Sequence, residues 1–383
     1  MLLKLLRHYA RGVATVARDP RFATVQDADL RLFESICGRE HVKTTEIDNY
    51  STDWMKVFKG KPVCVLLPGS TEEVSALLAH CSKRRIAVVP QVLPTEEGTV
   101  LKLGSALKKD NTSLHTPHLF LGSEGQLGVI THVTMAAVPK PTSVQSAMLG
   151  VETFDGCCEV LRLARRHLSE ILSSFEFLDR EIMTALEENL DLKPVLQSSP
   201  RFTLLVETSG SDETHDTAKM ERFLAHCIDE GLASDGVQAQ SATESAAMWR
   251  LRESAPLAVA ADGFAFKNDV SLPLKHFYEL TEAVRSRCSS LTKRIVTYGH
   301  LGDGNSHLNV TAKKFSKELY DKLYPFIYEW VNDHNGSISA EHGIGQVKLP
   351  YAAFGKSQAE RDIVRRIKSV FDPNGILNPY KTF

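Results

Sequence analysis

The segment Tyr298-Gly299-His300-Leu301-Gly302-Asp303-Gly304-Asn305-Ser306-His307-Leu308-Asn309 sets two histidines on either side of an Asp-Gly pair. Asp-Gly is a strong two-residue hairpin signal, because a type I′ turn needs positive φ at both central residues. The β-branched and aromatic run Ile295 to Leu301 predicts one strand, and the alternation from His307 to Thr311 predicts the return strand. With Asp303 and Gly304 as the turn, His300 faces His307 directly and Tyr298 faces Asn309. Side chains directly opposite share a sheet face, with Cβ atoms ~5 Å apart. Two imidazoles so placed can share one metal ion. A lone histidine is more often a structural hydrogen-bonding group; a pair across a tight turn is harder to read that way. A third ligand is offered by Ser337-Ile338-Ser339-Ala340-Glu341-His342-Gly343-Ile344-Gly345, read as a short strand ending at an acid–imidazole pair. His300, His307 and Glu341 are therefore the candidate metal ligands. Two histidines and one carboxylate leave coordination positions open, as a catalytic centre requires.

The elements that must position these residues follow from pattern. The chain has 383 residues, 43% hydrophobic and 24% charged, enough for two globular domains. A net charge of -2 gives no sign of nucleic-acid binding. The seven cysteines form no CxxC pair, which fits a reducing compartment. No apolar run approaches the ~20 residues of a membrane span. Helices are predicted over Asp27 to Glu40 and from Thr71 to about Lys83, the latter capped by Ser70 or Thr71. With strands Val63 to Leu67 and Ile86 to Val89, the second helix reads as a βαβ unit. Beyond a Pro139-Lys140-Pro141 linker, strands (147–151, 175–178, 203–208, 265–270) alternate with helices (154–172, 181–189, 213–230, 273–288, 316–334). Such alternation predicts helices packed on a sheet. A closing helix is predicted over Glu360 to Phe371, with Ile363, Ile367 and Val370 on one face and Asp372-Pro373 as its stop.

GHLGDGN-x-H-L-N, SAEHGIG and the terminal DPNGILNPYK together resemble the FAD-linked D-2-hydroxyacid dehydrogenases of the vanillyl-alcohol-oxidase superfamily. The resemblance runs from about Ile47 to the C-terminus. It implies an α+β fold: a vanillyl-alcohol-oxidase/p-cresol-methylhydroxylase (VAO/PCMH)-type FAD-binding domain over 45–140, a ferredoxin-like α/β substrate domain over 145–357, and a C-terminal helical cap over 358–383. One departure is large. The family continues from the strand near Val89 into a glycine-rich loop around the FAD pyrophosphate, where a Cβ would block backbone N–H groups from phosphate. Here Gln91 leads into Val92-Leu93-Pro94-Thr95-Glu96-Glu97-Gly98, and Thr99 onward resembles a much later part of that domain. The FAD-binding domain is thus expected to be incomplete, as in a shortened isoform.

By the same resemblance, Gly122, Ser123, Glu124, Gly125 and Gly128 of the GSEG-x-LG segment, and Asn378 near the C-terminus, are expected to contact FAD. For each, an ordinary turn is the alternative. Val129-Ile130-Thr131 is expected to restart a strand. Arg252 matches the arginine that holds a substrate carboxylate, Lys267 the substrate lysine, and Asn309 a polar substrate contact. His342 matches the catalytic base and a substrate contact, with a hydrogen bond to the neighbouring carboxylate as its alternative. Zinc is the expected metal. The implied reaction is oxidation of D-2-hydroxyglutarate to 2-oxoglutarate, with electrons passed to electron-transferring flavoprotein. Where the family has a threonine four residues after its arginine, this chain has Pro256. That leaves a D-lactate- or glycolate-type dehydrogenase as an alternative, and the absent glycine-rich loop leaves a non-catalytic chain unable to hold FAD as another.

The first eighteen residues carry Lys4, Arg7, Arg11 and Arg18 and no acid, with Leu2, Leu5, Leu6, Tyr9 and Val13 near one helical face. That is the signature of a mitochondrial transit peptide, and the mitochondrial matrix is the expected location.

Overall fold

The computed structural model describes residues 18–52, 58–90 and 99–381. The expected transit segment up to residue 17 and the junction at Gln91 to Gly98 lie outside the described residues. The chain divides into two compact units, Met1–Ala137 with Gly343–Phe383, and Val138–His342.

In the first unit, the helix Asp27–Cys37 packs with the helix Thr71–Arg84. Ser70 caps the second: its Oγ accepts from Glu73 N at 3.1 Å, while the Glu73 carboxylate accepts from Gly69 N at 2.8 Å. Phe33, Leu77, Leu78 and Cys81 close a core with Phe22, Ile86, Ile376 and Leu377. The expected βαβ unit does not form. β1 (Val42–Lys43) pairs antiparallel with β2 (Val65–Leu66). Val88 instead makes an isolated bridge to Leu377. The closing helix is Gln358–Phe371, capped by Ser357. The strand expected at Val129-Ile130-Thr131 is also absent. Residues 129–141 have no regular structure, and Val133 and Met135 are 68% and 81% exposed. A strand without a neighbour leaves its N–H and C=O rows unpaired, so β-propensity alone does not make one.

The second unit is built on seven strands: β3 (Ser143–Val151), β4 (Leu172–Asp179), β5 (Phe202–Gly210), β6 (Asp235–Gln238), β7 (Phe264–Ser271), β8 (Arg294–His300) and β9 (Asn305–Ala312). They form one antiparallel sheet in the order β6-β3-β5-β4-β8-β9-β7. Both faces are covered, which explains near-continuous apolar runs such as 147–151. On one face Leu149, Phe177, Phe202 and Leu204 meet the helices Phe154–His167 and Glu213–Asp229. On the other, Met148, Leu178, Leu205 and Tyr298 meet the helices Arg180–Leu190 and Ala242–Ala261. Each fully buried Leu or Phe stabilises by about 1.5–3 kcal/mol. The segment expected as one helix after Thr311 is two, Lys317–Leu323 and Phe326–Asp333, broken at Tyr324-Pro325.

The hairpin differs from expectation in one respect. β8 ends at His300 and β9 begins at Asn305, so the turn has four residues, Leu301 to Gly304. His300 therefore pairs with Asn305, and His307 pairs with Tyr298. Gly304 closes the turn at φ 82°, where an added Cβ would lie 2.7 Å from Leu272 O.

Candidate active site

The ladder registers place one row of polar residues on the sheet face that carries Tyr298. Glu176 of β4 pairs with His300, His307 of β9 pairs with both Tyr298 and Asp269 of β7, and Asn309 pairs with Lys267. Because side chains alternate with period two, all of these point to one side. His300 and His307 are diagonal neighbours, with ring centroids 5.4 Å apart. The third member arrives from the segment after the helix Phe326–Asp333. It is not a strand, as the sequence suggested. It makes a bridge between Ser271 and Ser337, and Ala340 N donates to Asp269 O at 3.4 Å. Gly336 permits that approach, since a Cβ there would meet Ser271 O at 2.6 Å.

One ligand atom each from His300, His307 and Glu341 lies within 4.8 Å of the others, and a second such group joins Asp269, Glu341 and His342. His300 Nε2 stands 3.4 Å from Glu341 Oε1. The other nitrogen of each histidine is turned to a buried carboxylate. His300 Nδ1 donates to Glu176 Oε1 at 2.9 Å, and His307 Nδ1 lies 3.5 Å from Asp269 Oδ1. A proton held on Nδ1 leaves the Nε2 lone pair for a cation, the usual carboxylate–histidine–metal arrangement. Glu176 raises the His300 pKa, with burial opposing it. Burial pushes the Asp269 carboxyl up, but His307, the N–H groups of Glu341 and His342, and Asn305 outweigh it and hold the group well below the carboxylate range. Those bonds are 2.8 Å from Glu341 N, 3.0 Å from His342 N and 2.8 Å from Asn305 Nδ2. Two imidazoles and a carboxylate with oriented partners are a donor set that fits a divalent cation.

Around this group stand the other expected residues. Arg252 is buried on the helix Ala242–Ala261, its Nε donating to Glu176 Oε2 at 2.7 Å and its guanidinium 5.2 Å from the Tyr298 ring centre. Pro256 follows one turn later in the same helix, where it has no N–H to return to the Arg252 carbonyl. Lys267 is half-buried, and burial lowers its pKa. Asn309 is buried, donates to His307 O at 3.1 Å, and has no hydrogen-bond partner at Oδ1 among the described residues. His342 is exposed, with Nδ1 3.8 Å from Asp269 Oδ2 and Nε2 3.8 Å from Glu341 Oε2. Sequence reasoning missed Glu176 and Asp269. Glu176 lies between Phe175 and Phe177 and Asp269 beside Val270, and an acid within each of these predicted strands was the signal available.

The expected flavin residues lie in the first unit. The turn after the helix Pro117–Phe120 has positive φ at Gly122 (77°), Glu124 (51°) and Gly125 (71°). The Glu124 carboxylate accepts from Ile344 N at 2.7 Å and Gly345 N at 2.9 Å, and Asn378 Nδ2 donates to Glu124 O at 2.5 Å. Gly128 is buried in the same segment. Ser123 Oγ and Asn378 Oδ1 are buried without hydrogen-bond partners among the described residues. Two orphaned polar atoms beside a turn open at Gly122 fit a group that exchanges hydrogen bonds there. Glu124, by contrast, is committed to the backbone of Ile344 and Gly345.

The chain is 33% identical to the mitochondrial D-2-hydroxyglutarate dehydrogenase of Arabidopsis thaliana, over 100% of this chain and 86% of that protein. It belongs to the D-2-hydroxyglutarate dehydrogenase family. The enzyme of the same name from Rattus norvegicus is 33% identical over 94% of this chain and 86% of its own length. Residues 140–382 match the family described as FAD linked oxidases, C-terminal domain. Members of the D-2-hydroxyglutarate dehydrogenase family are FAD-dependent dehydrogenases, and FAD-linked oxidation of a D-2-hydroxyacid is the reaction class of this chain. The fold resembles p-cresol methylhydroxylase with substrate bound, at a TM-score of 0.71 and 9% identity over 93% of this chain and 96% of that one. The Arabidopsis alignment spans 482 positions, against 383 residues here, so about a hundred positions of that relative face no residue of this chain.

Proposed function

We propose that this chain oxidises D-2-hydroxyglutarate to 2-oxoglutarate, using FAD and one divalent cation, zinc, held by His300, His307 and Glu341. The observation that carries the reading is the convergence of two imidazoles, each with Nδ1 turned to a buried carboxylate, on Glu341 beside Arg252. Bound zinc would act as a Lewis acid on the substrate hydroxyl, and bound FAD would accept the hydride from the α-carbon. The chain's own residues do the rest. Arg252 has its Nε fixed by Glu176 and its Nη2 3.5 Å from His300 Nε2, and its guanidinium supplies the charge that holds a substrate carboxylate. Lys267 supplies a second positive charge. Asn309 Oδ1 accepts from a substrate donor. His342, 63% exposed at its side chain, takes the hydroxyl proton, with Asp269 Oδ2 and Glu341 Oε2 each 3.8 Å from one of its ring nitrogens. Gly122, Ser123, Gly125, Gly128 and Asn378 contact the flavin.

In this reading electrons pass to electron-transferring flavoprotein, and the chain works in the mitochondrial matrix. The names of the Arabidopsis and rat relatives support a mitochondrial location, as does the basic, acid-free first segment. A second reading, oxidation of lactate or glycolate, is favoured by Pro256, which offers neither hydroxyl nor N–H to a distal carboxylate. A third, a chain that binds metal and substrate without turnover, is favoured by the missing positions. Dye-linked oxidation by the FAD- and Zn2+-supplemented chain tests all three. Preference for D-2-hydroxyglutarate, with a loss of about 10²–10⁴-fold in rate for His342→Ala, supports the first. Preference for D-lactate supports the second, and no turnover of either the third.

A further inference from the structure

Glu176 is 5% exposed on β4, and both of its oxygens are committed. Oε1 accepts from His300 Nδ1 at 2.9 Å, and Oε2 accepts from Arg252 Nε at 2.7 Å. The pairing of Glu176 with His300 fixes the first contact through the sheet, and the helix Ala242–Ala261 brings the second. Arg252 Nη2 also lies 3.5 Å from His300 Nε2, the nitrogen left for a cation.

We propose that Glu176 is a positioning residue that couples His300 to Arg252, so that cation affinity and carboxylate affinity rise and fall together. The proposal rests on the reading of His300 as a ligand and Arg252 as a carboxylate holder. A carboxylate can serve both partners because both of its edges accept. An amide in its place cannot. With its oxygen toward Arg252, its NH2 faces His300 Nδ1, which must then accept. The ring proton moves to Nε2, and the lone pair is lost from the cation side. With its oxygen toward His300, its NH2 meets the Arg252 Nε–H, donor against donor, and the guanidinium loses its anchor. Asp269, by comparison, holds His307, Asn305 and the N–H groups of Glu341 and His342 on the cation side. Binding energies are reciprocal, so whatever a dicarboxylate gains from bound cation, the cation gains from bound dicarboxylate.

The test is Zn2+ affinity of the full chain, by competition with a chromogenic chelator, in the unsubstituted protein, Glu176→Gln, Arg252→Met and the double variant. Circular dichroism monitors folding, and ¹⁵N ring spectra of the metal-free protein report the His300 tautomer. The expected results are a Zn2+ affinity 10- to 100-fold lower for Glu176→Gln, a His300 proton moved to Nε2, and an effect of Arg252→Met that disappears in the Glu176→Gln background. A folded Glu176→Gln that binds Zn2+ as the unsubstituted chain does, or an Arg252→Met effect equal in both backgrounds, overturns the coupling and leaves the metal reading standing. An unsubstituted chain that binds no Zn2+ overturns both. If Glu176→Gln does not fold, Arg252→Lys carries the test. Lysine lacks the Nε–H fork, so a several-fold loss of Zn2+ affinity supports transmission through Glu176, and none overturns it.

Discussion

His307 faces Tyr298 across the β8–β9 ladder, and His300 stands diagonally from His307 with the two ring centroids 5.4 Å apart. The turn is two residues longer than an Asp-Gly hairpin, and a difference of two preserves the face to which every side chain points. The pair therefore survives an error in register that would have separated it had the error been one residue.

The carboxylate under His307 is open to direct test. Asp269→Asn keeps the size of the side chain but weakens its hold on His307, Glu341 N and His342 N. Zn2+ affinity is expected to fall about 10- to 100-fold, as for other residues that orient metal ligands. Chelator competition on the folded variant measures it, and an unchanged affinity would remove Asp269 from the account.

Pro256 interrupts the hydrogen bonding of the helix that carries Arg252. Pro256→Thr restores an N–H for the Arg252 carbonyl and adds a hydroxyl. The second unit is expected to gain ~2 kcal/mol, and KM for D-2-hydroxyglutarate is expected to fall while that for D-lactate changes little. Thermal melting and steady-state kinetics read the two effects separately.

Flavin retention is expected to be weak. The residues described in the first unit leave Ser123 Oγ and Asn378 Oδ1 for a cofactor, and the sequence has no glycine-rich loop after Val89. Each lost charge-assisted hydrogen bond forfeits about 1.5–3 kcal/mol, and ~1.4 kcal/mol is tenfold in affinity. The purified chain is expected to carry well under one flavin per chain by visible absorbance. Stoichiometric FAD with normal turnover would show that another segment replaces the loop.

Acid sensitivity is expected in the first unit. Buried Asp29 accepts from Arg84 Nε at 3.0 Å and Gln26 N at 2.9 Å, and pairs with His80 Nε2 at 2.7 Å. Arg84 leads in holding its carboxyl well below the ordinary 3.8, with burial working the other way. A depressed folded-state value stabilises above the unfolded value and loses that contribution as pH falls below it. Asp29→Asn is expected to lower the melting temperature at pH 7 by about 2–4 °C and to flatten the decline below pH ~4. Parallel melting curves for the two proteins across that range would contradict this.

What the sequence disclosed depended on periodicity and on charge in unusual places. The closing helix was legible because Ile363, Ile367 and Val370 recur at helical spacing before Asp372-Pro373, and the helix after Ser70 because its cap and first-turn acids are local. The helix Ala242–Ala261 was missed, since its apolar residues make no single stripe and Pro256 sits inside it. β6 was missed as a four-residue edge strand. Val129 to Thr131 has strand-forming residues but no partner strand among the described residues, a property of the tertiary environment and not of the segment. Three candidate ligands were named from spacing, yet Glu176, about 120 residues upstream of His300, could be placed beside it only by the β4–β8 pairing.

Whether His300, His307 and Glu341 hold one cation in the second unit is read by X-ray absorption on the zinc-loaded chain. The expected result is one zinc per chain with two imidazole nitrogens at about 2.0–2.1 Å and a carboxylate oxygen at about 2.0–2.2 Å, with one imidazole lost in His307→Ala. A zinc shell without imidazole scattering, or one unaltered by His307→Ala, would contradict it.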